Sequence, residues 1–457
     1  MRSHSIDLTT GPIGRKLLAF ALPLVATNLL QNLYQAADNA VVGRFVGKDA
    51  LAAVGATSSA TALILNIIVG MAVGATIVNA NLRGAKKEKE LRKSMHATVA
   101  LSIVGGILFS ILGQIVCRPL LVLMNCPENI IDQSELYMRI IFCGTPGTMI
   151  YNFGSGILRT CGDSKRPMII MAVSGLVNVV LNLIFVLCFH MSVDGVALAT
   201  IISKYLAAGS VMWILFSQKD DYKLRVSEVK MYKTEIMNIV KVGFPCGINA
   251  TVFSLSNTIV SAAVNAFGAT VVASGVASNN ITVLLYAVLG SFYSACVSFT
   301  GQCYGAGKYK RIDGMYVRSV LICVVFMVIS ATGITIFPKF FISIFNTDPE
   351  VIAIGSMKLR IISWSYLLYG VTEVTIGALR GMKKSTVPTA INVVCICVLR
   401  VAWVMFVCPL DPDNLMLLYF CYPVSYICST AALIVYFLHC RKVLFKKSDK
   451  AASATVS

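Results

Sequence analysis

The sequence predicts an all-α integral membrane protein with twelve transmembrane helices in two pseudo-symmetric six-helix lobes. Three observations carry that expectation. Of the 457 residues, 57% are hydrophobic and only 13% charged, against about 25% charged in soluble domains. The apolar residues form continuous runs long enough to cross a bilayer, which takes about 20 residues. The chain also repeats itself at a shift of 221 or 222 residues.

In order, the apolar runs lie near 17–46, 51–80, 94–117, 136–158, 168–189, 192–217, 236–265, 270–303, 317–337, 357–379, 387–408 and 415–439. They are continuous rather than alternating, which excludes an outer-membrane barrel. The first run ends in no small-residue cleavage site and is expected to stay in the mature protein.

A net charge of +18 raises the question of nucleic acid, but its distribution answers it. With the N-terminus placed in the cytoplasm, 30 of the 39 basic residues fall before the first helix, in the even-numbered connections or in the tail. The opposite connections hold only Arg44, Lys48, Arg118 and Lys339. This asymmetry places both termini in the cytoplasm of a cell whose plasma (inner) membrane the chain crosses, and it removes the need for a nucleic-acid partner. The bilayer itself is the expected partner.

Fifteen cysteines contain no Cys-x-x-Cys and read as small apolar packing residues. Cys395 and Cys397, at i and i+2, point to different helix faces. His4, His96, His190 and His439 lie at termini or segment edges. With no histidine inside a helix core and no paired carboxylates, a membrane-embedded enzyme is not expected.

The repeat pairs Pro23 with Pro245, Gly47 with Gly268, Gly84-Ala85 with Gly305-Ala306, and Arg139 with Arg360. Its strongest match is GILRTCGDSKRP (156–167) against GALRGMKKSTVP (377–388). Six helices per half keep both copies in the same orientation, related by an axis along the membrane normal. The expected lobes are 1–216 and 236–440, joined by a cytoplasmic linker at 217–235 and followed by a basic, disordered tail at 441–457. A duplicated bundle within one chain fits alternating access by rocking halves, and a monomer suffices.

Within the first run, Asn28, Gln31, Gln35 and Asp38 follow helical spacing with Tyr34 beside them. Such a stripe must face protein or water, not lipid. At ~1.5 Å per residue, Asp38, Asn182, Asn178 and Thr200 all lie roughly 8–15 Å below the outer surface, and Asn152 lies deeper. Asn178 and Asn182 share a helix face, as do Thr200 and Lys204. Lys204 either pairs with Asp38 or snorkels and packs. In the second half, Glu373 ends the polar run SWSYLLYGVTE and is a candidate for attracting cationic substrate or carrying a second proton. Its depth argues against pairing with Arg400, which is left to backbone carbonyls or an anionic group.

The stretch TTGPIGRKLLAFALPLVATNLLQNLYQAADNAVVGRFVGKDALAAVG resembles the opening of multidrug and toxic compound extrusion (MATE) family transporters. LRTCGDSKRP, GVALATIIS, GFPCGINA and GQCYGAGK are similar to later segments of the family, over about residues 8 to 440. The resemblance implies export of small organic, often cationic, drugs or metabolites in exchange for H⁺ or Na⁺, without a cofactor. It is nearest the branch of the DNA-damage-inducible F proteins, whose coupling carboxylate matches Asp38. Gln31, Asn152, Asn178 and Thr200 match related positions. Where many relatives have a second aspartate, this chain has Asn182. The seventh-helix glutamate of another branch is absent from FSLSN, which ends in Asn257. The expected cation-coupling group is Asp38, Asn178, Asn182 and Thr200, with Asp38 the ligand if Na⁺ is the ion. Gln31, Tyr34, Gln35, Asn152, Lys204, Asn257, Glu373 and Arg400 are the expected cavity residues. The alternative is a lipid-linked oligosaccharide flippase of the same superfamily, which would need a strongly cationic cleft.

Two patterns have simpler readings. GQCYGAGK lacks the first glycine and the Ser/Thr of a phosphate loop and reads as a helix end entering a basic loop. Gly70 and Gly74 have the spacing that lets helices approach closely.

Overall fold

A computed structural model describes residues 6–124, 126–218 and 223–454. The described chain is built from α-helices α1 Ile13–Val41, α2 Lys48–Gly84, α3 Glu88–Leu123, α4 Glu128–Cys143, α5 Thr145–Thr160, α6 Lys165–Leu183, α7 Val193–Ser217 and α8 Lys233–Asn265, followed by α9 Ala269–Gly305, α10 Tyr309–Ile336, α11 Pro338–Ser343, α12 Pro349–Gly381, α13 Thr386–Asn392, α14 Leu399–Ala402, α15 Leu415–Tyr419 and α16 Cys421–Ala454.

Eleven of the described segments are long and apolar enough to cross a membrane. The twelfth crossing is the pair α4 and α5, which the sequence reads as one run. Pro146 has no N–H for the Phe142 carbonyl. The chain tightens there, with the Gly144 amide donating to the Ile141 carbonyl at 3.0 Å, and restarts as α5.

Three further departures from regular α-helix lie beside polar groups. Helix α1 runs into a π-helical turn at Val42–Val46, α6 into another at Ile184–Cys188, and α14 sits between π segments Val393–Val398 and Trp403–Val407. A π turn widens the hydrogen-bond ring by one residue and is frequent at functional sites. The end of the chain also differs from expectation: α16 continues to Ala454 instead of giving way to a disordered tail, and residues 455–457 lie outside the described residues.

By contacts, the chain forms two compact units, residues 1–7 with 22–247 and residues 8–21 with 248–457. Helices α1 and α8 therefore each contribute to both units, and the division falls within three residues of Pro23 and Pro245. The polar linker is not the dividing line. Residues 233–247 remain with the first unit because Gly243 and Gly247 of α8 meet Gly74 and Gly70 of α2. A Cβ on Gly70 would come within 2.1 Å of the Gly247 nitrogen, and one on Gly74 within 2.4 Å of the Gly243 Cα. Only glycines permit that approach.

In the first unit α5 packs on α2, α3 and α7, and α7 packs on α6. The core is apolar, with Leu158, Ile157, Val211 and Leu215 almost fully enclosed. In the second unit α12 is central, packing on α9, α10 and α16. GQCYGAGK caps α9 there. Gly307 adopts φ +69°, Lys308 Nζ donates to the Thr9 carbonyl at 2.9 Å, and Arg311 Nε donates to the Leu8 carbonyl at 3.1 Å. The basic residues tie down the start of the chain, and no phosphate cradle forms.

Candidate functional site

The first unit brings Asp38 of α1, Asn178 and Asn182 of α6, and Thr200 of α7 together. Asn182 Nδ2 donates to Asp38 Oδ1. Thr200 Oγ1 lies 3.4 Å from Asp38 Oδ2 and 2.9 Å from the Val196 carbonyl, so its single proton is shared between a carboxylate and its own helix. Asn178 Nδ2 reaches Thr200 Oγ1 at 3.5 Å. The side-chain carbonyl oxygens of Asn178 and Asn182 are buried without hydrogen-bond partners. A buried amide oxygen left unpaired costs about 1–3 kcal/mol. Two of them beside a carboxylate and a hydroxyl form an oxygen-only donor set, the kind that suits a hard cation.

This arrangement depends on how α1 lies against α6. Tyr34 sits one turn before Asp38, and its hydroxyl donates to the Ala172 carbonyl at 3.0 Å. The Tyr34 ring occupies the space over Gly175, where a Cβ would fall 1.8 Å from the ring. Gly175 in turn lies three residues before Asn178 and seven before Asn182, on the same side of α6. Gly147 plays a similar part for α7: its hydrogen leaves room for the Lys204 backbone, which a Cβ would meet at 3.3 Å.

The other expected residues of this unit are distributed as follows. Lys204 is half-buried and close enough to Asp38 for their charges to interact, but among the described residues no direct ion pair joins them. Asn152 donates to the Thr148 carbonyl at 2.8 Å within its own helix. Gln31 and Gln35 are exposed and stand outside the hydrogen-bonded group. Tyr137 of α4, which the sequence reading missed, lies within electrostatic range of Asp38. Its signal in the sequence is helical spacing with Gln133 and Ser134 one turn before it. No group of three or more His, Cys, Asp or Glu side chains that would hold a transition metal occurs among the described residues.

The second unit holds a separate polar centre around Arg400, which is 0% exposed. Its Nε donates to Ser425 Oγ and its Nη1 to Asn257 Oδ1, each at 2.9 Å. Its guanidinium carbon lies 4.4 Å from the Tyr422 ring centre and 4.9 Å from that of Tyr426. Glu373 instead hydrogen-bonds with Tyr369. Tyr422 and Tyr426 escaped the sequence reading because they lie on α16 and Tyr369 on α12, helices that only the fold brings to Arg400.

The MatE family profile matches residues 23–184 and 245–405, one copy in each half of the chain. The probable multidrug resistance protein YoeA of Bacillus subtilis is 27% identical over 390 residues, 83% of this chain and 84% of that protein. The probable multidrug resistance protein NorM of Thermotoga maritima is 27% identical over 401 residues, 86% of each chain. A solved structure described as the outward-facing conformation of a multidrug resistance MATE family transporter of the MOP superfamily superposes with a TM-score of 0.89. It is 20% identical and covers 97% of this chain and 99% of its own. At that identity the superposition speaks for the fold.

Proposed function

The chain belongs to the MatE family of multi-pass membrane transporters, and from that premise we propose that it exports organic drugs or metabolites by alternating access, driven by inward H⁺ or Na⁺ at Asp38. The observation that carries this reading is the group of Asp38, Asn182 and Thr200, with two unpartnered amide oxygens beside it. The Asn182 and Thr200 hydrogen bonds require Asp38 to be an acceptor, which suits the ionised form. A proton arriving on Oδ1 displaces the Asn182 N–H. A Na⁺ ion recruits the Asn178 and Asn182 oxygens by rotation of their amides. Either event neutralises the carboxylate, and the conformational equilibrium shifts by as much as the two states differ in affinity for the cation.

Supporting the exporter reading are the multidrug relatives above, both matched over more than four-fifths of their length. Those names do not favour the flippase alternative. Glu373, half-buried and held by Tyr369, is the acidic group offered to a cationic substrate. Both termini are assigned to the cytoplasm, and the chain to the plasma membrane, from the basic-loop asymmetry.

The test is efflux of a fluorescent organic cation from proteoliposomes under separately imposed Na⁺ and H⁺ gradients, for wild type and Asp38→Asn. Gradient-driven efflux that disappears in the variant supports the assignment and names the ion. Unchanged coupling in Asp38→Asn refutes it.

A further inference from the structure

The two halves of the repeat carry opposite charges at matching levels. Shifted by 221 or 222 residues, Asp38 falls on Ile259 or Val260, and Asn178 falls on Leu399 or Arg400. The first unit thus keeps a carboxylate among neutral donors, while the second replaces that acid by an apolar residue and introduces a guanidinium.

That guanidinium is incompletely paired. Of its three nitrogens, Nε and Nη1 are bonded to the neutral oxygens of Ser425 and Asn257, and Nη2 is buried without a partner. No carboxylate among the described residues forms an ion pair with it, and Glu373 is engaged with Tyr369. Burying an ion without a counter-charge is strongly unfavourable. Ring faces offset part of this through cation–π contacts. Tyr422, Tyr426 and, at 6.0 Å, Phe253 supply those faces. Neutral oxygens and rings stabilise the charge, but they leave one edge of the fork and the net charge unsatisfied.

We propose that the second unit is a binding site for an organic oxyanion, a phosphate or carboxylate attached to a planar ring, with the oxyanion paired to Arg400. Nη2 and the second N–H of Nη1 provide the parallel N–H pair that matches such a group. The rings there pack on one another, Phe253 on Tyr369 with centroids 5.6 Å apart and Tyr286 bonded to Tyr426 through their hydroxyls at 3.1 Å, so the ring body is received only when the half-buried Phe253 and Tyr422 swing apart. Entry runs past Phe253, Asn257 and Tyr422, which are only half-buried. A small cavity between α8 and the π segment, lined by Asn249, Phe253, Asn392 and Ile396, begins one helical turn from Arg400. The π turn lets this wall readjust without breaking a continuous α ladder. The inference goes beyond the exporter reading by adding an anionic ligand class at Arg400 beside the cationic one offered to Glu373, and it relies on that reading only for transport, not for binding.

Equilibrium dialysis of flavin mononucleotide and of riboflavin against the full chain in phosphatidylcholine nanodiscs tests it, because the two probes share a ring and differ in the phosphate. The expected result is at least tenfold tighter binding of the mononucleotide, with the preference abolished in Arg400→Gln. If that variant does not fold, Tyr422→Leu should weaken mononucleotide binding about fivefold through the lost ring face. Equal binding of both probes, a preference that survives Arg400→Gln, or an unchanged affinity in Tyr422→Leu overturns the proposal. So does displacement of the mononucleotide by phosphatidylglycerol at equimolar lipid, which would make the site a lipid headgroup site. Efflux of an organic cation from proteoliposomes made with the same purified chain reports separately on the exporter reading.

Discussion

Replacing Gly175 by alanine should uncouple this transporter without touching any group that binds an ion. The added Cβ would lie 1.8, 2.0 and 2.2 Å from three atoms of the Tyr34 ring. Non-bonded carbons sit about 3.5–4.0 Å apart, so the ring must retreat by roughly 1.5–2 Å. The ring is tethered by its hydroxyl to the Ala172 carbonyl at 3.0 Å, and breaking that bond costs about 1 kcal/mol. Overpacking adds about 1–3 kcal/mol. The intrinsic gain of alanine over glycine inside a helix, about 0.5–1 kcal/mol, does not offset the sum. A net loss of about 1–3 kcal/mol is expected, read as a lower thermal midpoint in detergent. The larger consequence is geometric. Asp38 lies one turn beyond Tyr34, and a displacement of that size separates it from Asn182. Ion-driven efflux should fall at least tenfold. Tyr34→Ala in the Gly175→Ala background should restore much of both readouts, whereas Tyr34→Phe should not, since it keeps the ring. Unchanged coupling and stability in Gly175→Ala would refute the claim that this ring-over-glycine contact sets the position of Asp38.

Asn182→Ala should shift the half-saturating ion concentration for efflux about ten- to a hundredfold, because a hydrogen bond to a charged group contributes about 1.5–3 kcal/mol: toward lower concentration if the ion is H⁺, since the bond stabilises the ionised carboxylate, and toward higher concentration if it is Na⁺, which loses the Asn182 oxygen. Gly74→Val should prevent α2 from approaching α8, where even a Cβ lies 2.4 Å from the Gly243 Cα, and should abolish folded yield in size-exclusion chromatography. In the linker, Arg92 Nε bonds Glu228 at 2.7 Å, and this bond holds the Glu228 carboxyl below its ordinary range of 4.5. Its folded form therefore binds a proton less readily than its unfolded form, so its contribution is complete above pH ~4.3 and is lost as pH falls through the depressed value. Pepsin cleavage of the linker should accelerate over that range in wild type, and Glu228→Gln should already be cleaved fast at pH 5.

Much of this protein is legible without coordinates, for reasons that are local or one-dimensional. A hydrocarbon slab ~30 Å thick demands runs of about 20 apolar residues, so the crossings can be read from the sequence directly. Charge asymmetry and the self-match at 221 or 222 residues are properties of order along the chain. Asp38, Asn178, Asn182 and Thr200 were singled out together because depth in a membrane is nearly a linear function of position in a helix.

Direction around the helix axis and the partner on the neighbouring helix are not functions of position, and these are what the tertiary structure decided. Helical spacing puts Gln31 and Gln35 in one stripe with Asp38, yet neither joins its group, whereas Asn182 and Thr200 reach the Asp38 carboxylate from two other helices. The break between α4 and α5 falls at Gly-Thr-Pro-Gly-Thr, residues 144–148, where Pro146 lacks an N–H, inside a run long enough to cross. The assignment of residues 233–247 to the first unit follows from glycine contacts, and that of residues 8–21 to the second from basic side chains that bond the Leu8 and Thr9 carbonyls, and neither has a composition signal. Arg400 is the clearest case. The sequence shows a lone base in an apolar run, whereas its neutral partners and unpaired nitrogen arise from three helices more than a hundred residues apart in part of their contacts. Composition, apolar run length and the internal repeat determined that the chain crosses the membrane twelve times as two similar halves; side-chain packing between helices decided that Asp38 is held by Asn182 and Thr200 and that Arg400 is held by neutral oxygens and rings.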